Sequence, residues 1–141
     1  MSDQYIALDK VLPHSYPFLF IDRVVEIDAG KRVVCLKNVS CDENMFKGYS
    51  PHDPIFPAVY IIEAMAQASG LLLDNERSGG AFLSMMKDVT FHKAVRPGDR
   101  LMITSSLFHA FSPLFVFQVS ASVEGNLVAE AEITLALTKY E

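Results

Sequence analysis

The segment from Ala58 to Leu73 (AVYIIEAMAQASGLLL) limits the possible folds more than any other part of this chain. Its Ala, Leu, Met, Glu and Gln are good helix formers, and Pro57 stands where the first turn of a helix tolerates a proline. Apart from Glu63, Gln67 and Ser69, the helix is apolar on every face. Such a helix either crosses a membrane, for which about 20 apolar residues suffice, or fills the middle of a core. Glu63 at mid-segment, the flanking prolines and the strand-rich remainder of the chain select the core.

The rest of the chain reads as strands. Ala7 to Val11 predicts a short helical turn stopped by Pro13. Phe18 to Asp28 and Lys31 to Ser40 are β-branched and aromatic runs on either side of Asp28-Ala29-Gly30, a hairpin signal. Met45 to Pro57 breaks regular structure with Gly48, Pro51, Pro54 and Pro57. After Arg77-Ser78-Gly79-Gly80 come four more strand-like runs, Ala81–Ala94, Arg100–Phe111, Leu114–Glu124 and Leu127–Thr138. Arg96-Pro97-Gly98-Asp99, Ser112-Pro113 and Glu124-Gly125-Asn126 separate them, and the last is a tight hairpin. One buried helix and six strands predict an α+β domain in which an antiparallel sheet curls around the helix. A single curled layer leaves an edge strand and one end of the helix uncovered, and pairing two copies would cover both.

The 141 residues fit a single domain, 1–141, with half of them hydrophobic and 21% charged, so a sizeable core is expected. The net charge of −5 excludes a nucleic-acid binder, because nothing offsets repulsion from phosphates. Cys35 and Cys41 match neither a metal nor a disulfide framework and read as ordinary reduced cysteines. The N-terminus carries no basic stretch followed by an apolar run, so no signal peptide is read and the cytoplasm is expected. His14, His52, His92 and His109 are scattered without the spacing of metal ligands; no metal or cofactor is expected.

Glu63 is the most informative residue. A carboxylate inside an apolar helix must be neutral, hydrogen-bonded or facing a cleft. Gln67, four residues on, shares its face and can orient it. One reading is a general acid, the other a carboxylate engaged with the helix dipole or a neighbouring backbone amide. The loop Gly48–Pro54 leads into the helix, whose first amides, at Ala58 and Val59, are free to polarise a carbonyl oxygen. Acid–base chemistry beside a carbonyl is what these parts offer.

Three stretches then resemble one family. Leu12-Pro13-His14-Ser15-Tyr16-Pro17-Phe18-Leu19-Phe20-Ile21-Asp22-Arg23 is similar to the L-P-H-R-Y-P-F-L-L-x-D-R opening of the FabZ-type β-hydroxyacyl-acyl-carrier-protein dehydratases. Pro54-Ile55-Phe56-Pro57-Ala58-Val59, with Ile62-Glu63-Ala64-Met65-Ala66-Gln67-Ala68, resembles their P-I-M-P-G-V-x-x-x-E-A-M-A-Q-A. Phe91 to Leu101 (FHKAVRPGDRL) resembles F-R-R-P-V-V-P-G-D-Q-L. The likeness spans about residues 12–138. It implies the hotdog fold, dimers with composite sites, and acyl chains carried as thioesters on an acyl carrier protein. It places the family's helix carboxylate at Glu63 and the carbonyl-binding amide at Ala58 or Val59, with Ala58 where the family has Gly; Ala58, Val59 and Gln67 are the expected substrate-binding residues.

One catalytic position departs from the pattern. Gly48-Tyr49-Ser50-Pro51 stands where the family has G-H-F-P, so Tyr49 replaces the histidine that removes the α-proton. A phenol with a pKa near ~10 lies about 3.5 units from imidazole and is a poor base at neutral pH. Three readings follow: a dehydratase acting alone, a silent thioester-binding subunit paired with a paralogue that supplies the histidine, and a hotdog thioesterase in which Glu63 activates water. Glu63 is expected to be buried in a dimer cleft within a few ångströms of the other subunit's Tyr49. Lys93, Arg96 and Arg100, with His92, are expected to form a basic patch for the acidic carrier protein. The assembly implied is a homodimer or a trimer of dimers, or a heterodimer with a paralogue.

Overall fold

The computed structural model describes residues 6–14, 17–47, 52–76 and 80–138. A four-residue turn of helix, α1 (Leu8–Val11), precedes the hairpin of β1 (Arg23–Asp28) and β2 (Arg32–Asn38). A short 3-10 turn at Asn44–Phe46 leads towards the long helix α2 (Ala58–Gly70), which tightens into a 3-10 stretch over Leu71–Glu76. Four strands follow: β3 (Ala81–Phe91), β4 (Arg100–Phe111), β5 (Leu114–Val123) and β6 (Asn126–Leu137).

Among the described residues the six strands form one antiparallel sheet in the order β1-β2-β4-β5-β6-β3. The helix lies in its concave face and packs chiefly on β4. Period-two patterning decides which side chains point inward. From the helix, Ile61, Ala64, Met65 and Ala68 meet Val33, Cys35, Leu101, Ile103, Phe117, Ala121 and Ile133 of the sheet, all of them buried. Burial pushes the Cys35 thiol up to about 12, which makes it an inert core residue, whereas Cys41 is exposed. The β5–β6 turn sits at Glu124 and Gly125, both at positive φ (50° and 79°), as a two-residue hairpin turn demands.

The architecture is the curled sheet around a helix that the sequence predicts. Two details differ. Strand β1 begins at Arg23 rather than Phe18, because Gln67 of α2 takes the backbone groups of Phe18 and Phe20 that a strand would otherwise pair. Strand β3 ends at Phe91, and 92–94 pass into the turn before β4.

The two edges of the sheet differ chiefly in length and in exposed apolar surface. Strand β1 is six residues long, bulged between Val24 and Glu26, and carries charges at Arg23, Glu26 and Asp28 beside the exposed Val25 and Ile27. Strand β3 is eleven residues long, irregular between Leu83 and Met85 and between Lys87 and Thr90, and exposes Phe82, Met85, Met86 and Phe91.

Candidate active site

Three positions on α2, Val59, Glu63 and Gln67, follow one another at intervals of four and so form one stripe. Exposure falls steeply along it: Val59 is 67% exposed, the Glu63 side chain 25%, and Gln67 1%. The stripe runs from solvent into the core, and the carboxylate sits at the boundary.

Gln67 is fixed by the chain that passes over it. Its Oε1 accepts from the Phe20 N–H at 2.9 Å, and its Nε2 donates to the Phe18 carbonyl at 2.9 Å. The second proton of Nε2 goes to Glu63 Oε1 at 3.1 Å. A buried amide engaged at three points cannot rotate, so the carboxylate beside it inherits a set direction. The residues between α1 and β1 also bring His14 to the same oxygen, its Nε2 lying 3.4 Å from Glu63 Oε1. The His14 ring stacks on Phe18 at 6.2 Å, and Phe18 meets Phe20 edge-on at 5.0 Å. One peptide segment thereby orients both partners of the carboxylate. In the single chain Glu63 is half-buried, and it faces a narrow cleft of about 60 Å³ with Leu12, Ala66, Leu83 and Leu135.

The amide end of the helix presents a different cleft. Pro57 caps α2 without a side-chain hydrogen bond, and Tyr60 N–H turns back to the Pro57 carbonyl at 3.0 Å. The N–H groups of Ala58 and Val59 belong to the orphan donors of a helix start and have no acceptor among the described residues. Ala58 borders a cleft of about 330 Å³ with Ile55, Phe91, His92 and Lys93. At about 100° per residue the side chains of Ala58 and Glu63 diverge by about 140° around the helix, and the two residues line different clefts. Val59, four residues before Glu63, shares its side.

Lys93, Arg96, Arg100 and His92 are all exposed near that second cleft, but the patch is not uniformly basic. Arg96 is ion-paired with Asp53, its N–H is capped by Asp99 Oδ2 at 2.9 Å, and His92 Nε2 lies 3.6 Å from Glu130. Lys93 and Arg100 remain as cations without an ion pair among the described residues. Tyr49, with Gly48, Ser50 and Pro51, lies outside the described residues. Sequence reasoning assigned no role to His14; the available signal was its place inside the Leu12-Pro13-His14 motif, 49 positions from the carboxylate it touches.

Comparison with known proteins agrees with this geometry. The model of the FabA-like domain matches residues 12–132. The chain is 42% identical over 134 residues to the 3-hydroxyacyl-[acyl-carrier-protein] dehydratase FabZ of Ruminiclostridium cellulolyticum, covering 92% of this chain and 94% of that protein. It is 40% identical to the FabZ of Aromatoleum aromaticum, covering 91% and 92%. Among solved structures it resembles the dehydratase heterocomplex ApeI:P from Xenorhabdus doucetiae, with a TM-score of 0.80 and 22% identity over 96% of this chain and 93% of that one. A hypothetical thioesterase with coenzyme A from Streptococcus pneumoniae shares the fold at a TM-score of 0.67 and 19% identity, over 84% and 87%. A curled six-stranded sheet around one helix, a glutamate held in its cleft, and identity of this extent over nearly the whole chain lead to one conclusion: the chain belongs to the FabA-like family of hotdog proteins and is a 3-hydroxyacyl-acyl-carrier-protein dehydratase-like member of it.

Proposed function

We propose that the chain is a cytoplasmic subunit that binds 3-hydroxyacyl thioesters of acyl carrier protein and supplies Glu63 to a dehydratase site completed by a second subunit. The observation that carries the proposal is the divergence of Ala58 and Glu63 into separate clefts of one chain. An acyl thioester lying in the cleft beside Ala58 is set apart from the cleft that holds the same chain's carboxylate, and the Glu63 of another copy would complete the site.

In such a site the α-proton of the thioester leaves to a base and the β-hydroxyl departs with a proton as water. The α–β bond then becomes double. Glu63 stands for the group at the hydroxyl. It is anchored through Oε1, and Oε2 has no hydrogen-bond partner among the described residues. The base is the weak part, because a tyrosine at position 49 is almost wholly protonated at neutral pH. In a homodimer both sites would carry Tyr49. In a pair with a paralogue that has the loop histidine, Glu63 of this chain would meet that histidine, giving one working site per pair. The likeness to a structure described as a dehydratase heterocomplex supports the paired assembly over the chain acting alone.

The test follows 3-hydroxyacyl and trans-2-enoyl carrier-protein thioesters by mass, with the chain alone and with a loop-histidine dehydratase that has lost its own helix carboxylate. The mixture should interconvert the two thioesters, while each component alone should do so at least ~10²-fold more slowly, the usual worth of a positioned acid or base. Full activity of this chain alone would show that it needs no partner. Release of free thiol without loss of water would point to a thioesterase instead.

A further inference from the structure

The Glu63 carboxylate has two oxygens with different surroundings. Oε1 lies 3.1 Å from Gln67 Nε2 and 3.4 Å from His14 Nε2, and Oε2 has no hydrogen-bond partner among the described residues. His14 has its own asymmetry. Its Nδ1 is buried with no hydrogen-bond partner, while the ring as a whole is 28% exposed. A buried N–H with no acceptor is costly, so the arrangement favours the tautomer with its proton on Nε2, facing the carboxylate. Among the described residues lining the cleft, His14 and Glu63 are the two titratable groups; the walls are apolar side chains, Gln67 and Gly70.

We infer that His14 is the positioning residue of Glu63: its Nε2–H, together with Gln67 Nε2–H, pins Oε1 and leaves Oε2 as the oxygen presented to the substrate. A single donor leaves the carboxylate more freedom than two groups do. Here a hydrogen bond from α2 and a 3.4 Å approach from the segment after α1 converge on the same oxygen. Phe18 makes the coupling rigid, since its carbonyl holds Gln67 and its ring stacks on His14. In this role the imidazole is a donor through Nε2–H and does not stand in for the base at position 49. The consequence for chemistry is directional. A displacement of the reacting oxygen by about 1 Å costs ~10²-fold in rate, so the loss of His14 should appear in turnover and not in binding.

The test has a spectroscopic arm and a kinetic arm, and only the second rests on the dehydratase reading. In 1H–15N spectra of the isotopically labelled protein, the His14 ring should be protonated at Nε2, with that proton visible in slow exchange. Glu63→Ala should abolish the slowly exchanging signal. A His14 protonated at Nδ1, or an Nε2 proton equally protected in Glu63→Ala, would overturn the inference whatever the protein catalyses. In the mixed assembly, His14→Phe should lower kcat by ~10–10²-fold with KM within about twofold. His14→Gln, whose side-chain amide can donate in place of Nε2–H, should recover most of the loss. Equal losses in the two variants with unchanged thermal midpoints, or a loss confined to KM, would refute the positioning role. If the unaltered assembly itself shows no interconversion, the dehydratase reading falls and the spectroscopic arm decides on the pair.

Discussion

At the scale of single residues, the molecule pairs a carboxylate that is held with a tyrosine at position 49, where the resembling family has histidine. Gln67 spends three hydrogen bonds on holding the Phe18–Phe20 segment and Glu63 together. Leaving those backbone groups unpartnered would cost about 1–3 kcal/mol each, so Gln67 serves the core as much as the site. If the base is all that is missing, Tyr49→His should raise dehydration of 3-hydroxyacyl thioesters by this chain alone, by ~10²–10⁴-fold. Ser50 also departs from the family's Phe, so Tyr49→His with Ser50→Phe is the fuller restoration. Neither change should help in a Glu63→Gln background, because acid and base act as a unit. A mass assay of the four proteins reads this directly, and an inert double variant that still binds acyl thioester would show that more than the base is absent. Glu63 and Gln67 were legible in the sequence because a carboxylate and an amide on an otherwise apolar helix have few uses. His14 was not, because its partner is distant in sequence and a lone histidine carries no spacing to read.

At the scale of elements, periodicity was a reliable guide wherever a strand has one buried face. Strand β4 falls on the predicted Arg100–Phe111, and β5 and β6 differ from expectation by a residue at their ends. The prediction failed at the start of β1, where Phe18 to Ile21 are apolar and read as strand. The Phe18 carbonyl and the Phe20 N–H go to a glutamine side chain on α2, a tertiary partner that local pattern cannot reveal. The turn between β3 and β4 shows the same limit for charge: three cations close in sequence looked equivalent, yet Asp53 occupies Arg96 from 43 positions away. Charge reversal should therefore act unequally. Lys93→Glu and Arg100→Glu should each weaken binding of acidic carrier protein more than Arg96→Glu does, and the differences should shrink at high salt. Titration calorimetry at two ionic strengths checks the order, and equal losses at all three positions would show that the Asp53 pairing does not matter to docking.

At the scale of the whole molecule, the sequence showed how one helix is covered but not what lies beyond the sheet's edge. Strand β3 leaves Phe82, Met85, Met86 and Phe91 exposed along a border of eleven residues, while the border at β1 is only six residues long. A second chain added at β3 would bury that border, and association would then stabilise the fold by mass action. The thermal midpoint should rise with protein concentration, and ultracentrifugation should show a species of at least two chains. A midpoint independent of concentration from a monomer would count against the assembly. That border also has a meaning for the cell's inventory. If β3 accepts either its own copy or a related chain, the assembly formed depends on how much of each is made, and an excess of this chain would draw pairs into the form with tyrosine at both loops. If the relative has no working carboxylate of its own, output would then pass through a maximum as this chain's expression rises against a fixed amount of it. If it has one, output would fall throughout, and in either case the control is stoichiometric and needs no effector.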